Sequence, residues 1–329
     1  MNETHASSQN PDLFSAAEAV AAGIDFAELS VSPAGLFWNE FRPQDAASRI
    51  WRWSDGVTTC LTPDGFSARS RVYEYGGGSF CLSDEAVVFV NEADQQIYLQ
   101  PFDTNVPLAL THGDKRYGDV RFGRGQILAV EEDNDVHRLV AFDLIDGRRH
   151  VLAEGADFYA APTLSPEGDR LVWIEWWRPH QPWTSTRLLS TERQPDGSWR
   201  LPHCLAGGLG LEALQQPRFD DQGRLYCLTD RGGFWQPWVE TLEGLEALPA
   251  AAADHASAPW QLGSSSWLPL TDGAYLASWF QDGSGRLGPA PAFRDLPRRR
   301  VHQERLRGPP RQPSLEQHAA AGDVRRARW

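Results

Sequence analysis

Two short stretches of the chain carry the side chains best suited to contact a ligand. Glu74 precedes the glycines Gly76 to Gly78, and glycine lets a main chain come close to a bound molecule. Farther along, three tryptophans could form an aromatic wall beside a peptide. Each stretch also has a structural interpretation, which we favour: the glycines shape the start of a strand, and the tryptophans pack inside the fold. The substrate-gating candidates are Glu74, Trp176, Trp177 and Trp183.

Histidines and acidic residues offer weaker candidates. His112, His137 and His180 each stand alone, without a carboxylate at the spacing of a metal site. We therefore predict no metal ligand and no cofactor. Residues 131–135, Glu-Glu-Asp-Asn-Asp, could attract the positively charged amino terminus of a peptide, although a solvated loop is the simpler interpretation.

A repeated sequence phrase identifies the elements that must position these residues. A turn ending in glycine precedes a run of β-forming residues, and the best copy, residues 164–177, reads Leu-Ser-Pro-Glu-Gly-Asp-Arg-Leu-Val-Trp-Ile-Glu-Trp-Trp. Further copies end their turns at Gly125, Gly223 and Gly273, so the phrase returns at roughly 40 to 55 residues, the period of a propeller blade. The predicted fold class is all-β: a β-propeller of four-stranded antiparallel blades, with about five to six blades present and the ring incomplete.

We place the propeller at residues 26–285, after a lead-in at 1–25 that contains a short helix (15–24). The predicted blades span 26–63, 71–110, 118–153, 160–205 and 216–248, and a sixth starts near 260 and is clear only as far as 280. Residues 286–329 form an Arg/Pro-rich tail with 11 arginines against 4 acidic residues. We predict that this tail is disordered or derives from a shifted reading frame. A genuine basic tail that binds an acidic partner is the alternative.

Composition and charge limit the partners. The chain has 329 residues and a net charge of -13, and its first 285 residues hold 20 basic against 40 acidic side chains, which argues against a nucleic-acid partner. No apolar run approaches the roughly 20 residues that span a bilayer, and residues 1–12 lack the order of a signal peptide. The four cysteines show neither metal spacing nor a disulfide pattern. We expect a cytoplasmic protein without a membrane partner, and the oligomeric state stays open.

Four segments carry a resemblance to a known family. Residues 71–78 read Arg-Val-Tyr-Glu-Tyr-Gly-Gly-Gly, and 88–98 read Val-Phe-Val-Asn-Glu-Ala-Asp-Gln-Gln-Ile-Tyr. Residues 174–183 read Ile-Glu-Trp-Trp-Arg-Pro-His-Gln-Pro-Trp, and 216–235 hold Gln-Pro-Arg-Phe, Leu-Tyr and Thr-Asp-Arg-Gly-Gly-Phe-Trp. Together they resemble the N-terminal propeller of the prolyl oligopeptidase family of serine peptidases, closest to the acylaminoacyl-peptidase and dipeptidyl-peptidase-like branch. That branch tends to show Asp-His-Pro-Asn-Met-Pro-Trp in its fourth blade, and the third segment departs from it at 177–178 and 180–181.

The resemblance implies a two-domain enzyme that acts on peptides, with a propeller followed by an α/β-hydrolase domain holding Ser, Asp and His. The nucleophile of such a domain lies in a Gly-x-Ser-x-Gly turn. The chain contains no such pentapeptide, and the nearest approach, residues 263–267, reads Gly-Ser-Ser-Ser-Trp. We therefore assign no catalytic residue and expect the propeller portion of a serine peptidase, truncated before its catalytic domain and catalytically silent, so that enzyme status is uncertain.

Two other functions remain open. A free-standing, TolB-like propeller would act as a binding or scaffold module. A metal-dependent propeller hydrolase, such as a lactonase, would need Glu, Asn and Asp ligands that converge on the central channel. No spacing in the sequence demands those ligands.

Overall fold

The computed structural model describes residues 23–208, 210–271 and 273–290, and these residues fold into six antiparallel sheets. Each sheet is built from strands that are consecutive in the chain, and the first strand of each sheet contacts the first strand of the next. The predicted fold class, an all-β propeller, is confirmed. None of the described residues lies in a helix, so none forms a helix that could cross a membrane. The predicted helix at 15–24 lies almost wholly outside the described residues.

The first three blades have four strands each. Blade 1 contains β1 (Asp25–Ser32), β2 (Gly35–Arg42), β3 (Ala47–Ser54) and β4 (Val57–Cys60). Blade 2 contains β5 (Phe80–Leu82), β6 (Ala86–Val90), β7 (Ile97–Pro101) and β8 (Leu108–Ala109). Blade 3 contains β9 (Arg116–Gly123), β10 (Gln126–Asp133), β11 (Val136–Asp143) and β12 (Arg149–Glu154).

Blades 4 and 5 repeat this pattern, and three strands of blade 6 are described. Blade 4 contains β13 (Phe158–Leu164), β14 (Arg170–Trp176), β15 (Arg187–Glu192) and β16 (His203–Gly207). Blade 5 contains β17 (Leu214–Phe219), β18 (Leu225–Thr229), β19 (Gln236–Thr241) and β20 (Gly244–Ala247). Blade 6 contains β21 (Trp267–Pro269), β22 (Tyr275–Gln281) and β23 (Ser284–Ala290).

Strand β14 explains why the repeated phrase predicts a blade core. All seven of its residues are buried. Leu171 and Trp173 pack into a core shared with blade 3, whereas Val172 and Ile174 pack into a core shared with blade 5. Successive side chains of a strand point to opposite faces, so a strand between two neighbouring blades needs apolar residues on both. That requirement produces the continuous apolar run of the sequence.

The sixth blade extends beyond the predicted propeller boundary at residue 285. Strand β23 continues to Ala290 and pairs with β22, with Arg286 opposite Trp279. The two strands are joined by Asp282 and Gly283, whose φ angles of 52° and 73° are the left-handed values of a two-residue hairpin turn. The Gly- and Pro-containing sequence after this turn hid the strand from pattern analysis.

The first and last blades each leave an apolar face exposed. On blade 1, Phe26, Leu29 and Val31 are 65–74% exposed, and on blade 6 Phe280 and Leu287 are 65% and 74% exposed. In the inner blades the corresponding faces are covered by a neighbouring blade. An incomplete ring would have this appearance, and that interpretation stays a prediction.

Candidate functional site

The loop of residues 71–78, which precedes β5, positions the first candidate, Glu74. The loop leads into blade 2 and contacts residues of blades 3 and 4 and the segment that precedes blade 6. Tyr73 and Glu74 have φ angles of 57° and 68°, in the left-handed region that residues with a Cβ rarely adopt. Contacts with other blades hold this conformation: the Tyr73 amide donates to Glu132 Oε2 (2.7 Å), and the Tyr159 amide donates to the Tyr73 hydroxyl (3.0 Å).

The three glycines of the 71–78 loop pack against main chain. A Cβ atom on Gly76 would lie 2.0 Å from the carbonyl oxygen of Ser70, and one on Gly77 would lie 2.2 Å from that of Leu262. A Cβ atom on Gly78 would lie 2.4 Å from the Asp119 Cα atom. Gly77 also forms a parallel bridge with Leu262, whose amide donates to the Gly76 carbonyl (2.9 Å). The structural interpretation of the glycines is therefore supported: they let the loop lie against blades 3 and 6.

An aromatic cluster forms beside this loop. The rings of Phe158 and Trp176 are stacked with centroids 5.2 Å apart, and Tyr73 meets Phe158 edge-on at 5.1 Å. His137 completes the cluster with its ring 4.8 Å from that of Tyr73. Its Nδ1 atom contacts the Asp157 carbonyl oxygen, a contact that requires the hydrogen on Nδ1. Trp176 itself is only 6% exposed and also packs in the core shared with blade 5, which agrees with the structural interpretation of this tryptophan.

The two remaining tryptophan candidates, Trp177 and Trp183, lie in different parts of the structure. Trp183 joins the same region and contacts the Trp260 ring at 4.3 Å, and Tyr75 lies 6.2 Å from Trp260. Trp177 lies elsewhere: its indole donates to the Gly155 carbonyl (3.3 Å), and the Arg187 guanidinium lies 4.1 Å over its ring. Adjacent residues at a strand end point in opposite directions, which is why the sequence could not distinguish Trp176 from Trp177.

These groups enclose a space of about 680 Å³, here called the aromatic cavity. Its volume falls within the range of small-molecule sites. Its side-chain walls are Tyr73, Glu74, Tyr75, Glu132, Asp135, His137, Phe158, Trp176, Arg178, His180, Trp183 and Trp260. Three of the four gating candidates therefore meet in one cavity, and Trp177 does not line it.

Acidic groups line one side of the aromatic cavity. Glu132 is held by the Tyr73 amide, and Arg116 contacts both Glu74 (through a short hydrogen bond) and Glu132 (3.7 Å). Glu74 is exposed, with 76% of its side chain accessible. Asp135 is also exposed at the wall. Arg178 and His180 line the same cavity, and the Arg178 guanidinium lies 5.0 Å over the Phe158 ring, so it is the acidic side alone that suits a cationic group approaching from solvent.

Glu131, in the same acidic run, has a structural role instead. Its carboxylate is fully buried and accepts hydrogen bonds from Arg149 Nε (2.7 Å) and Nη2 (2.6 Å). Lys115 and Arg138 lie 3.4 Å away on the same carboxylate. Burial alone would raise the pKa of Glu131, but the hydrogen bonds and positive charges outweigh it and hold this pKa below its usual range. Of the carboxylates in the run, Glu132 and Asp135 line the cavity, together with the amide side chain of Asn134.

The serines nearest to a nucleophile motif make structural contacts. Ser264 donates to the Gln261 carbonyl (3.4 Å), Ser265 accepts from Arg218 Nη2 (2.7 Å), and Ser266 contacts the Gln216 side chain. Within the described part of the chain, none of them has a histidine among its hydrogen-bond partners. The described residues also contain no group of three or more His, Cys, Asp or Glu side chains that could hold a metal ion.

Comparison with known proteins points to one group of peptidases. Neither a protein-family model nor a curated protein matches the chain. Among solved structures, the chain is similar to a puromycin-hydrolysing peptidase of Mycobacterium tuberculosis, with a TM-score of 0.74 and 28% identity over 85% of this chain and 47% of that one. It is also similar to a puromycin hydrolase, with a TM-score of 0.72 and 26% identity over 80% of this chain and 45% of that one.

A more distant likeness shows the fold alone. A prolyl endopeptidase structure gives a TM-score of 0.56 and 13% identity over 83% of this chain and 42% of that one. The chain spans about half the length of the puromycin-hydrolysing enzymes that it matches. The described propeller is thus similar to the propellers of puromycin-hydrolysing peptidases of the prolyl oligopeptidase family.

Proposed function

We propose that this chain is the propeller portion of a peptidase of the prolyl oligopeptidase type, and that its aromatic cavity binds the amino-terminal residue of an aminoacyl or short peptide substrate. The observation that carries the proposal is the pairing of an aromatic wall with carboxylates in one cavity. The likeness to puromycin-hydrolysing enzymes supports it, because puromycin presents an aromatic aminoacyl group with a free amino group.

The chemistry of the cavity matches such a ligand. A planar or apolar side chain of the substrate gains contact area and ring contacts against Trp183 and Trp260, whose rings are partly exposed in the cavity wall. A protonated amino group is attracted by Glu132 and Asp135 and by the negative faces of the rings. Acetylation of the amino group removes the positive charge of the ligand while keeping its ring. It therefore separates the contribution of the carboxylates to binding from that of the aromatic contacts.

Hydrolysis belongs to a different part of such an enzyme. Acyl transfer needs a serine activated by histidine, a carboxylate that orients the histidine, and donors for the oxyanion. The sequence has no Gly-x-Ser-x-Gly turn. The chain on its own therefore binds substrate without cleaving it, and within the family its closest affinity is with the acylaminoacyl-peptidase and dipeptidyl-peptidase-like branch.

The test is calorimetric or saturation-transfer NMR binding of puromycin and of N-acetylpuromycin to the purified full chain. We expect puromycin to bind at least about fivefold more tightly, since a charged hydrogen bond contributes about 1–3 kcal/mol. Glu132→Gln keeps an acceptor for the Tyr73 amide and should remove most of that difference. Glu167→Gln is the control, because Glu167 lies 83% exposed in the turn at the opposite end of β14.

Two results would contradict the proposal. Equal binding of the acetylated and free amines would mean that the carboxylates do not recognise the ligand. Hydrolysis of puromycin, or stoichiometric labelling of Ser264, Ser265 or Ser266 by a fluorophosphonate probe, would mean that the chain is an enzyme by itself.

A further inference from the structure

A second space of about 630 Å³ lies among the first strands of several blades, here called the arginine cavity. Gly78 and Gly263 line it, whereas Gly76 and Leu262 line the aromatic cavity, so the bridge between Gly77 and Leu262 stands between the two. The space that remains between them is only about 40 Å³. The charged groups of the arginine cavity are Glu28, Asp84, Asp119, Arg121 and Arg218.

Arg218, on β17, has most of its donors unused. Its Nη2 atom donates to the Ser265 hydroxyl (2.7 Å), and it makes no ion pair with any described residue. Its Nε atom is buried and has no hydrogen-bond partner among the described residues. A guanidinium group carries five N–H donors in a planar fork, and a buried donor without a partner costs stability. Arg218 is therefore a cation in the cavity wall whose acceptor is missing.

A second positively charged side chain lies in the wall of the same cavity. Arg121 lines the same cavity, and its Nε atom donates to Asp119 Oδ1 (3.1 Å). Burial, and to a lesser extent the positive charge of Arg121, lower the pKa of Arg218 to about 10. Asp119, which pairs with Arg121 (3.1 Å), acts in the opposite direction and offsets part of the repulsion between the two guanidinium groups.

The acidic groups of the cavity are occupied by other donors or lie at its rim. Asp119 is almost fully buried, and its second oxygen accepts from the Ala161 amide (2.6 Å). Glu28 accepts from the amides of Ser79 (2.8 Å) and Phe80 (3.1 Å), and burial raises its pKa. Asp84 is exposed at the edge. None of the three is hydrogen-bonded to Arg218.

We propose that the arginine cavity is a binding site for a small oxyanion, a carboxylate or a phosphate, held by Arg218 in a bidentate manner and by Arg121 as the second cation. The planar fork of Arg218 matches two oxygens of such an anion. The hydroxyl group of Ser265, which accepts from Arg218, lies in the same wall and can donate its own hydrogen to a third. This site is independent of the proposed function, because it has the opposite charge preference and lies across the Gly77–Leu262 bridge.

The experiment uses the purified full chain with two probes: inorganic phosphate, and an N-acetylated dipeptide whose only charge is its C-terminal carboxylate. We expect at least one of them to bind in calorimetry at constant ionic strength and to raise the melting temperature by about 3 °C at ten times its Kd. Binding of phosphate alone assigns the site to a free anion, and binding of the dipeptide alone assigns it to a peptide carboxylate.

Substitutions localise the effect. Arg218→Lys keeps one charge but removes the fork, and should weaken binding about tenfold, and Arg218→Gln should abolish it. Arg124→Gln is the control, since Arg124 is half exposed and pairs with Glu167 outside the cavity. The proposal is overturned if neither probe binds the unmodified chain, or if binding survives in the Arg218→Lys variant as strongly as in the control. The Lys variant decides the matter if the Gln variant does not fold.

Discussion

The aromatic cavity and the arginine cavity are neighbours along the propeller but differ in charge and construction. The first is built by the 71–78 loop, other loops and the ends of strands, with aromatic rings and carboxylates at its walls. The second is built largely by the first strands of the blades, with two guanidinium groups in its wall. One main-chain bridge, Gly77 to Leu262, stands between them. The comparison teaches that a loop laid across the blades can separate two cavities whose walls carry different side chains.

Breaking the bridge should have the largest effect. In Gly77→Ala, the new Cβ atom would meet the Leu262 carbonyl oxygen at 2.2 Å, and φ of +100° is unfavourable for alanine. We expect the free energy of unfolding to fall by at least about 3 kcal/mol in chemical denaturation. Gly125→Ala is the matched control, because Gly125 also has positive φ but nothing within 4 Å of its Cβ position, and it should lose only about 1 kcal/mol. Equal losses would mean that the bridge does not hold the loop.

Substitutions at Glu131 and Glu132 distinguish a carboxylate that stabilises the fold from one that lines the aromatic cavity. Glu131→Gln leaves the surrounding cations around a neutral group, and we expect a loss of about 3 kcal/mol in stability with no change in puromycin binding. Glu132→Gln should show the reverse pattern. The result that would contradict this assignment is a Glu131→Gln protein as stable as the unmodified chain.

Glu131→Gln should also change how the free energy of unfolding depends on pH. Because the pKa of Glu131 is held low in the folded state, its ionisation stabilises the fold above its unfolded pKa, about 4.3, and this stabilisation is lost as pH falls through the folded value. The stability difference between the unmodified chain and Glu131→Gln should therefore shrink below about pH 4. Chemical denaturation at several pH values measures it, and a constant difference would refute the pairing.

Trp260 and Trp177 give the sharpest test of the aromatic wall. Trp260→Leu removes a ring that is 57% exposed in the cavity wall while keeping an apolar side chain, and we expect puromycin binding to weaken about tenfold. Trp177→Leu, which changes a tryptophan outside the cavity, should leave the affinity within about twofold. Phosphate binding should be unchanged in both. Equal weakening by the two substitutions would show that the wall is not specific.

Much of the fold, and less of the site, follows from sequence. The turn at Gly168 and the β-forming run after it predicted β14, and the run is continuous because a strand between two blades is apolar on both faces. Trp176 and Trp183 could be proposed from residue type, but the direction of Trp177 depends on where the strand ends. The arginine cavity was not foreseen, because Arg121 and Arg218 lie about 100 residues apart and meet only through the arrangement of blades 3 and 5. The hairpin at residues 282–283 did carry an Asp-Gly signal, which the surrounding glycines and proline obscured.

The smallest effect is expected outside both cavities. Leu287→Ser on blade 6 and Phe26→Ser on blade 1 change side chains that are 74% and 66% exposed. Each should alter the free energy of unfolding by less than about 0.5 kcal/mol and leave both binding reactions intact, while reducing self-association of the chain. Sedimentation velocity measures the association. A large loss of stability would mean that these faces are already covered within the chain.

The most direct test of the account is one crossed binding measurement on the full chain. Puromycin and the oxyanion probe that binds are titrated into the unmodified chain, Glu132→Gln and Arg218→Lys at constant ionic strength and pH 7. The account predicts that Glu132→Gln weakens only puromycin, by at least about fivefold, and that Arg218→Lys weakens only the oxyanion, by about tenfold. If Glu132→Gln leaves puromycin binding unchanged, the aromatic cavity is not the substrate-binding site, and if either substitution weakens both ligands equally, the two cavities are not separate sites.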